Sequence, residues 1–292
     1  MSSCLCQVSK VNEKDLQDQQ CEYSPQALPE PTSTISCLHD RFLDGQLLPT
    51  PHLYFLYLNN FALVVLDSVL VKLCFPLLAV AAALLAEDRG WGLFNLIELP
   101  VWLAVVLSIL ILDLVIYAQH VLFHMVPALW RLHRVHHTDL DFDVTTGIRF
   151  HPLEIVLSMG IKLLLVILLG PPAVAVLIFE ILLNAAAMFN HSNLKIPLGF
   201  DRVIRLLMVT PDMHRVHHSV IPRETNSNYG FFITWWDRVF GTYIDQPEKG
   251  HEGMTIGIEE FRAPKDMRLD QLLLQPLRAG GIQKQDSVHD QS

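Results

Sequence analysis

Four apolar segments dominate the middle of the chain, and polar sequence flanks them on both sides. They run over about 61–86, 101–118, 155–169 and 173–189. At a rise of 1.5 Å per residue a helix over the first segment is about 39 Å long, enough to cross a bilayer. The pattern predicts about four transmembrane or membrane-embedded helices.

The last two segments are joined by Gly170-Pro171-Pro172, which combines a helix stop, a tight turn and a helix start. Each arm is about 22–26 Å long, shorter than the roughly 30 Å hydrocarbon core of a bilayer. Lys162 also interrupts the first arm. The hairpin is therefore expected either to span a thinned bilayer or to dip in and return, with both of its ends on one side.

The composition agrees with a membrane protein that has polar tails. Charged residues make up 17% of the chain, against about 25% in soluble domains. The net charge of −9 excludes a nucleic-acid partner, because phosphate binding needs clustered Lys and Arg. We predict a disordered tail at 1–50, a membrane-embedded domain at 51–245 and a polar C-terminal tail at 246–292, in which 267–280 is a candidate peripheral amphipathic helix.

Basic residues predict the orientation in the membrane. One connection offers only Arg89, beside two acidic residues. The connections on the other side carry Arg131, Arg134, Arg149, Lys195, Arg202, Arg205 and Arg215. The positive-inside rule therefore predicts a multi-pass integral protein with its active site and both termini in the cytosol.

Histidines form three spaced groups near the ends of the apolar segments. His120-x-x-x-His124 follows the second segment, His133-x-x-His136-His137 comes soon after, and His214-x-x-His217-His218 follows the fourth. Residues at i, i+3 and i+4 share one face of a helix. With 14 histidines in 292 residues, one HxxHH is expected about 0.03 times by chance, so two of them favour a chemical role.

Metal binding is the chemistry that this pattern favours. Neutral imidazole suits zinc, copper, iron and nickel, and eight clustered histidines exceed the four ligands of one tetrahedral zinc ion. Two metal ions would use them all. Two other interpretations stay open: a membrane metal transporter or sensor, against which the position beyond the helix ends counts, and a zinc-dependent lipid hydrolase.

The order HxxxH, HxxHH, membrane hairpin, HxxHH resembles the fatty acid hydroxylase/sterol desaturase superfamily of histidine-box di-iron membrane oxygenases. The resemblance covers roughly residues 55–245 and is closest to bacterial sterol desaturase family proteins. Beyond the histidines, it rests on the sequence blocks at 133–154, 189–197, 211–219 and 228–243.

The resemblance implies an all-α integral membrane protein with a cytosolic helical cap that carries a dimetal site. It implies O₂-dependent hydroxylation or desaturation of a C–H bond in a membrane lipid, such as a sterol, a fatty acyl chain or a sphingoid base. The cofactor would be two iron ions, with zinc as an alternative in purified protein. Electrons would come from a separate ferredoxin, rubredoxin or cytochrome b5-like protein, since the chain shows no flavin or haem-binding motif.

The resemblance also assigns roles to residues, with no catalytic side chain beyond the metal ligands. The implied ligands are His120, His124, His133, His136, His137, His191, His214, His217 and His218. Candidates for the surrounding hydrogen-bonding shell are Asp113, His151, Asn190, Asn228 and Asp237. From the residues alone, Asp67, Glu154 and Glu180 are further acids that could orient a histidine N–H, and Trp130, Trp235 and Trp236 are interpreted as interfacial anchors.

Overall fold

A computed structural model describes residues 51–75 and 77–280. These residues lie in one compact unit, 48–292. The tail predicted at 1–50 and the last part, 281–292, of the tail predicted at 246–292 lie outside the described residues. The boundaries of the membrane-embedded domain stay predictions. The α-helices are α1 (Pro51–Cys74), α2 (Ala79–Arg89), α3 (Leu93–Leu96), α4 (Val101–Met125), α5 (Pro127–His137), α6 (Pro152–Leu169), α7 (Ala173–Asn190), α8 (Leu198–Ile204), α9 (Pro211–His217), α10 (Pro222–Thr225), α11 (Trp235–Val239), α12 (Gly250–Gly253) and α13 (Leu269–Leu274).

Four candidate membrane spans are present in the part of the chain that the structure covers: Tyr54–Leu96, α4, α6 and α7. Only 22–33% of the residues in the most apolar stretch of each span are buried. Large apolar side chains such as Leu73, Leu168 and Ile181 are exposed instead, as expected where the solvent is lipid. With helices throughout 51–75 and 77–280, and β-pairing there limited to two isolated bridges, the predicted all-α membrane fold is confirmed.

The first apolar segment is not one helix, which corrects the expectation of a single continuous helix over 61–86. Helix α1 ends at Cys74, and α2 begins at Ala79. The sequence has Pro76 between them, and a proline inside a helix removes one backbone donor and clashes with the preceding turn. The 26-residue apolar run therefore forms parts of two helices.

Small residues let α2 pack closely against the hairpin of α6 and α7. Ala79, Ala82 and Ala83 are buried, and they form one hydrophobic core with Leu112, Val166, Val176 and Phe179. Helix α4 lies against α5 and α7, and α1 lies against α6. This packing brings the C-terminal ends of α4 and α7 and the start of α6 to the same end of the bundle.

The short helices after α7 form a cap at that end of the bundle. Leu272 of α13 is fully buried against Leu63 of α1 and Val135 of α5. The buried guanidinium of Arg134 donates to the backbone oxygens of Gln275 and Arg278. The helix in the predicted 267–280 region is thus six residues long and packs against the domain.

The hairpin turn between α6 and α7 requires a glycine. Gly170, the C-cap of α6, has φ of 60°, and a Cβ there would clash with the carbonyl oxygen of Trp91 and the amide of Asn95. We expect Gly170→Ala to lower the unfolding free energy by about 2 kcal/mol or more, because the left-handed conformation costs 1–2 kcal/mol without glycine and the backbone clash adds to it. The measurement is thermal or denaturant unfolding in detergent.

The matched control is Gly90→Ala. Gly90 has nearly the same φ, 64°, but a Cβ there meets no atom within 4 Å. This variant carries the conformational cost alone, so its loss of stability should be clearly smaller. Equal losses for the two variants would contradict the role assigned to the Gly170 contact.

Candidate metal centre

Nine histidines from four segments meet where the bundle joins its cap. Helix α4 contributes His120 and His124 from its last two turns, and the C-cap of α7 contributes His191. The other six come from α5 and from α9 with its C-cap: His133, His136, His137, His214, His217 and His218. Eight of the nine are at most 8% exposed, so this is an interior cluster.

The nine side chains divide into two groups. In each group, one potential ligand atom per residue lies within 4.8 Å of all the others. The first group is His120, His124, His133, His137 and His217. The second is His136, His191, His214 and His218. The structure therefore brings together all nine histidines that the sequence nominated as metal ligands.

Hydrogen bonds fix the tautomer of five of these rings. In each case Nδ1 lies within reach of an oxygen acceptor, so Nδ1 carries the proton and Nε2 keeps its lone pair. The acceptors are the backbone oxygens of Tyr229 for His120 (2.8 Å), Ser227 for His217 (2.7 Å) and Ala187 for His191 (2.7 Å), and the side chains of Asn226 for His124 (3.3 Å) and Glu154 for His133 (2.7 Å).

In both groups Nε2 atoms face one another, and the Nε2 atoms of the five rings with a fixed tautomer carry no proton. His120 Nε2 lies 3.1 Å from His133 Nε2. In the second group, His191 Nε2 lies 3.1–3.3 Å from the Nε2 atoms of His136, His214 and His218. Two nitrogen ligands at about 2.1 Å from one ion lie about 3.0–3.4 Å apart. These separations fit a shared cation in each group.

Further ring nitrogens in the cluster are buried and have no hydrogen-bond partner among the residues that the structure describes. They include Nε2 of His124 and His217, both nitrogens of His137, and Nδ1 of His136, His214 and His218. A buried nitrogen without a partner loses its hydration and gains nothing in return. Cations bound to Nε2 of His124 and His217 and to one nitrogen of His137 would compensate for this loss, so these orphaned nitrogens are a second observation that fits a metal centre.

Burial keeps the histidines outside the membrane spans neutral at physiological pH, because it penalises the charged imidazolium. It lowers the pKa of His133 to about 3 and that of His191 to about 4. Burial, and then the neighbouring histidines, lower the pKa well below its ordinary value for His136, His137, His214, His217 and His218. Neutral imidazole is the form that binds metals.

The loop at 226–244 supplies several of the acceptors, and Asp237 and Asn228 hold it in place. Asp237 accepts from the backbone N–H groups of Tyr229 and Gly230, each at 2.8 Å. Asn228, with φ of 50°, donates to the carbonyls of Met213 and Ile244 and accepts from the N–H of Ile244. Both residues thereby position the carbonyls that bind His120 and His217.

Two predicted shell residues contact this loop region instead of an imidazole. Asp113 Oδ2 accepts from Trp236 Nε1 at 2.8 Å and from the N–H of Ile233 at 3.3 Å. Asn190 donates to the carbonyl of Phe231 at 2.6 Å. Their contacts fix the 231–236 segment against α4 and α7.

His151 lies outside both groups. Its Nδ1 accepts from the N–H of Leu153 and so caps α6, and its Nε2 is 3.2 Å from the carbonyl oxygen of Leu273. A capping role of this kind is common for polar residues before a helix.

Several side chains of the site were missed or misread from the sequence. Trp130 is 4% exposed and its ring lies 4.9 Å from that of His124, so the interpretation of Trp130 as an interfacial anchor is wrong. Arg149 is fully buried and donates to the carbonyl of Val135 and the hydroxyl of Thr138, which fixes the loop after α5. No local pattern marks such an arginine, because its partners are set by tertiary structure.

The comparisons with known proteins agree with this geometry. The sequence model of the fatty acid hydroxylase family matches residues 105–242. The chain is 30% identical over 148 residues to ornithine lipid hydroxylase of Rhizobium tropici, with 51% of this chain and 44% of that protein covered. It is 32% identical over 177 residues to alkylglycerol monooxygenase of Xenopus tropicalis (59% and 38% covered) and 26% identical over 140 residues to cholesterol 25-hydroxylase of Rattus norvegicus (47% and 46% covered).

The chain spans less than half the length of these three curated relatives. No solved structure matches it significantly. The activities in the relatives' names are therefore those of the relatives. The matched region of this chain includes all nine clustered histidines.

Asp237 makes the loop sensitive to pH. Burial raises its pKa from 3.8 to about 6, so the protonated form is favoured in the folded chain, and the stabilisation present at low pH is lost as the pH rises through about 6. An asparagine cannot titrate. We expect the stability of the metal-free wild type relative to Asp237→Asn to decrease by about 1 kcal/mol between pH 5 and pH 7, measured by denaturant unfolding.

The control is Glu259→Gln, at an exposed position, whose stability difference from the wild type should not follow this trend. If the difference between the wild type and Asp237→Asn instead grew in favour of the wild type with rising pH, the ionised carboxylate would be the favoured form, and this assignment would be wrong.

Proposed function

We propose that the protein is an O₂-dependent di-iron enzyme of the fatty acid hydroxylase family, whose sequence model matches residues 105–242, and that it hydroxylates a C–H bond of a membrane lipid. The observation that carries the proposal is the pair of buried, all-histidine groups whose Nε2 atoms face one another. The names of the relatives, which are hydroxylases and monooxygenases, favour hydroxylation over desaturation.

The five-histidine group would hold one iron ion and the four-histidine group the other. A bound pair of reduced iron ions would supply the activation of O₂ that oxidation of an unactivated C–H bond requires. Nitrogen ligands alone do not distinguish iron from zinc, so iron is proposed from the family and the reaction. The chain's own contribution is to keep the nine imidazoles neutral, oriented and dry.

A cavity of about 380 Å³ leads from the histidines into the membrane bundle, a size typical of small-molecule sites. Four of the histidines border it: His120, His133, His136 and His214. Its wall comes from α1, α4, α6 and α7 and is mostly apolar, with residues such as Val71, Ile116 and Leu183. A lipid chain in this cavity would lie against the proposed iron site and exclude water from it.

The overall reaction balances as R–H + O₂ + 2 e⁻ + 2 H⁺ → R–OH + H₂O. The two electrons would come from a separate ferredoxin, rubredoxin or cytochrome b5-like protein. We propose an orientation with the histidines on the cytosolic side. Arg131, Lys195 and Arg202 support it because they remain exposed, whereas Arg134, Arg149 and Arg205 are buried inside the protein and cannot interact with lipid headgroups.

The test of the reaction is lipid analysis of cells that express the chain with a redox partner under ¹⁸O₂. We expect a lipid whose mass increases by that of one ¹⁸O atom and which is absent from cells without the chain. Loss of two hydrogens with no added oxygen would replace hydroxylation by desaturation. No change in any lipid, with iron bound and the donor present, would contradict the proposal.

Substitution of one histidine in either group tests the ligand assignment. We expect His136→Ala and His217→Ala each to lose bound metal and lipid oxidation together, because each group then lacks a ligand. Metal content and turnover are measured on the same preparations. His151→Asn is the matched control, since asparagine also caps helices and His151 lies outside both groups; it should keep both properties. Full activity of either alanine variant would refute the assignment.

Glu154 tests the role of the hydrogen bonds behind the ligands. Its Oε1 accepts from His133 Nδ1 at 2.7 Å, and loss of such a partner lowers metal affinity about 10–100-fold. We expect Glu154→Leu, which has no acceptor, to show a loss in this range in a competition assay with a chelator. Asp67→Asn, which changes an acid in the same cavity that binds no histidine, should retain metal. Equal affinities for the two variants would argue against an orienting role for Glu154.

A further inference from the structure

The cavity described above is apolar over most of its wall but contains polar groups far inside the bundle. Lys162 on α6 and Glu180 on α7 form an ion pair at 2.6 Å. Lys162 lies eight residues beyond Glu154 on the same helix, which is about 12 Å along its axis. Ionisable residues within membrane spans are costly and are retained mainly where they serve a function. The hairpin core alone does not require this pair.

Within the described residues, three hydrogen-bond acceptors of the cavity wall have no donor. Asp67 Oδ1, Gln119 Oε1 and Glu154 Oε2 are buried atoms without a partner, and all three residues line the cavity. Asp67 is 7% exposed and Glu154 is 4% exposed. The amide nitrogen of Gln119 donates to the hydroxyl of Ser158 at 2.7 Å. The carbonyl oxygen of Gln119 takes no part in this hydrogen bond. A buried acceptor without a donor has lost its hydration and gained nothing in return.

The charge of the cavity wall restricts what can compensate for these acceptors. Outside the histidines, the described part of the wall has three carboxyl groups, those of Asp67, Glu154 and Glu180, and one ammonium group, that of Lys162. Lys162 is already paired with Glu180. A ligand that brings further acceptors or a negative charge would meet like groups, whereas hydroxyl or ammonium groups would donate to the free oxygens.

We propose that these three acceptors select a lipid whose polar group donates hydrogen bonds, a polyol or an ammonium, and that they reject free carboxylates and groups that only accept. This inference rests on the proposed function, because it assigns a substrate class to the cavity of that enzyme. Asp67 and Gln119 are then specificity-determining residues. They lie in the lipid cavity and outside both histidine groups.

The test is competitive binding to the full, metal-loaded chain, observed by native mass spectrometry from detergent micelles. Four probes share a sixteen-carbon chain: hexadecane-1,2-diol, hexadecylamine, hexadecyl methyl ether and hexadecanoate. We expect the diol, the amine or both to bind about tenfold or more tightly than the ether and the carboxylate, as found for sites built to pair a polar group. The order of diol and amine distinguishes a polyol from an ammonium headgroup.

Two variants remove acceptors while keeping volume: Asp67→Leu and Gln119→Met. In each, the preference for the donor-bearing probes should fall to about threefold or less. Met159→Leu changes an apolar residue of the same wall and should keep the wild-type preference. Bound metal is measured in every sample, so a variant with a disrupted site is recognised by metal loss.

Binding of the ether or of hexadecanoate as tightly as the diol and the amine would overturn the inference, and so would a preference that persists unchanged in both acceptor variants. The assay contains no reductant and needs no turnover. Selective binding without any lipid oxidation in cells would therefore contradict the proposed function alone, whereas lipid oxidation without selectivity would contradict the substrate class alone.

Discussion

The burial of nine neutral imidazoles in one interior space is the constraint on which the rest of the structure depends. Five of the rings have their Nδ1 proton bound to an oxygen acceptor, so their Nε2 lone pairs point inward. Lone pairs that converge in a dry interior repel one another and cannot be satisfied by further acceptors. Cations are the partners that remove this cost. Asp237, Asn228 and Arg149 hold the loops next to the rings in place and so keep the rings oriented.

The sequence predicts much of this architecture because its strongest signals are local. Apolar runs identify the membrane helices, and histidine spacing on α4, α5 and α9 nominates all but one of the clustered rings. The division into groups could not be predicted, because it does not follow the histidine motifs. On α5, His133 and His137 join the first group and His136 joins the second, since neighbouring residues project about 100° apart around a helix.

Other features were not predictable because their partners are distant in sequence or belong to the backbone. The carbonyls of Ala187, Ser227 and Tyr229 bind imidazoles, yet every residue has a carbonyl and nothing in the sequence distinguishes these three. Glu154 was one of several acids in apolar segments, and only the fold selects it as the partner of His133. The break between α1 and α2 shows the limit of hydropathy alone, which treats an apolar run as continuous across a proline.

The central claim is that the two histidine groups hold two metal ions, and the metal content per chain tests it most directly. The protein is purified anaerobically from iron-replete cells, and metals and protein are quantified on the same sample. The account predicts close to two ions per chain, with iron as the main metal. One ion or none in a folded preparation would contradict it, because nine buried nitrogen ligands in two groups would then lack the cations for which their geometry is suited.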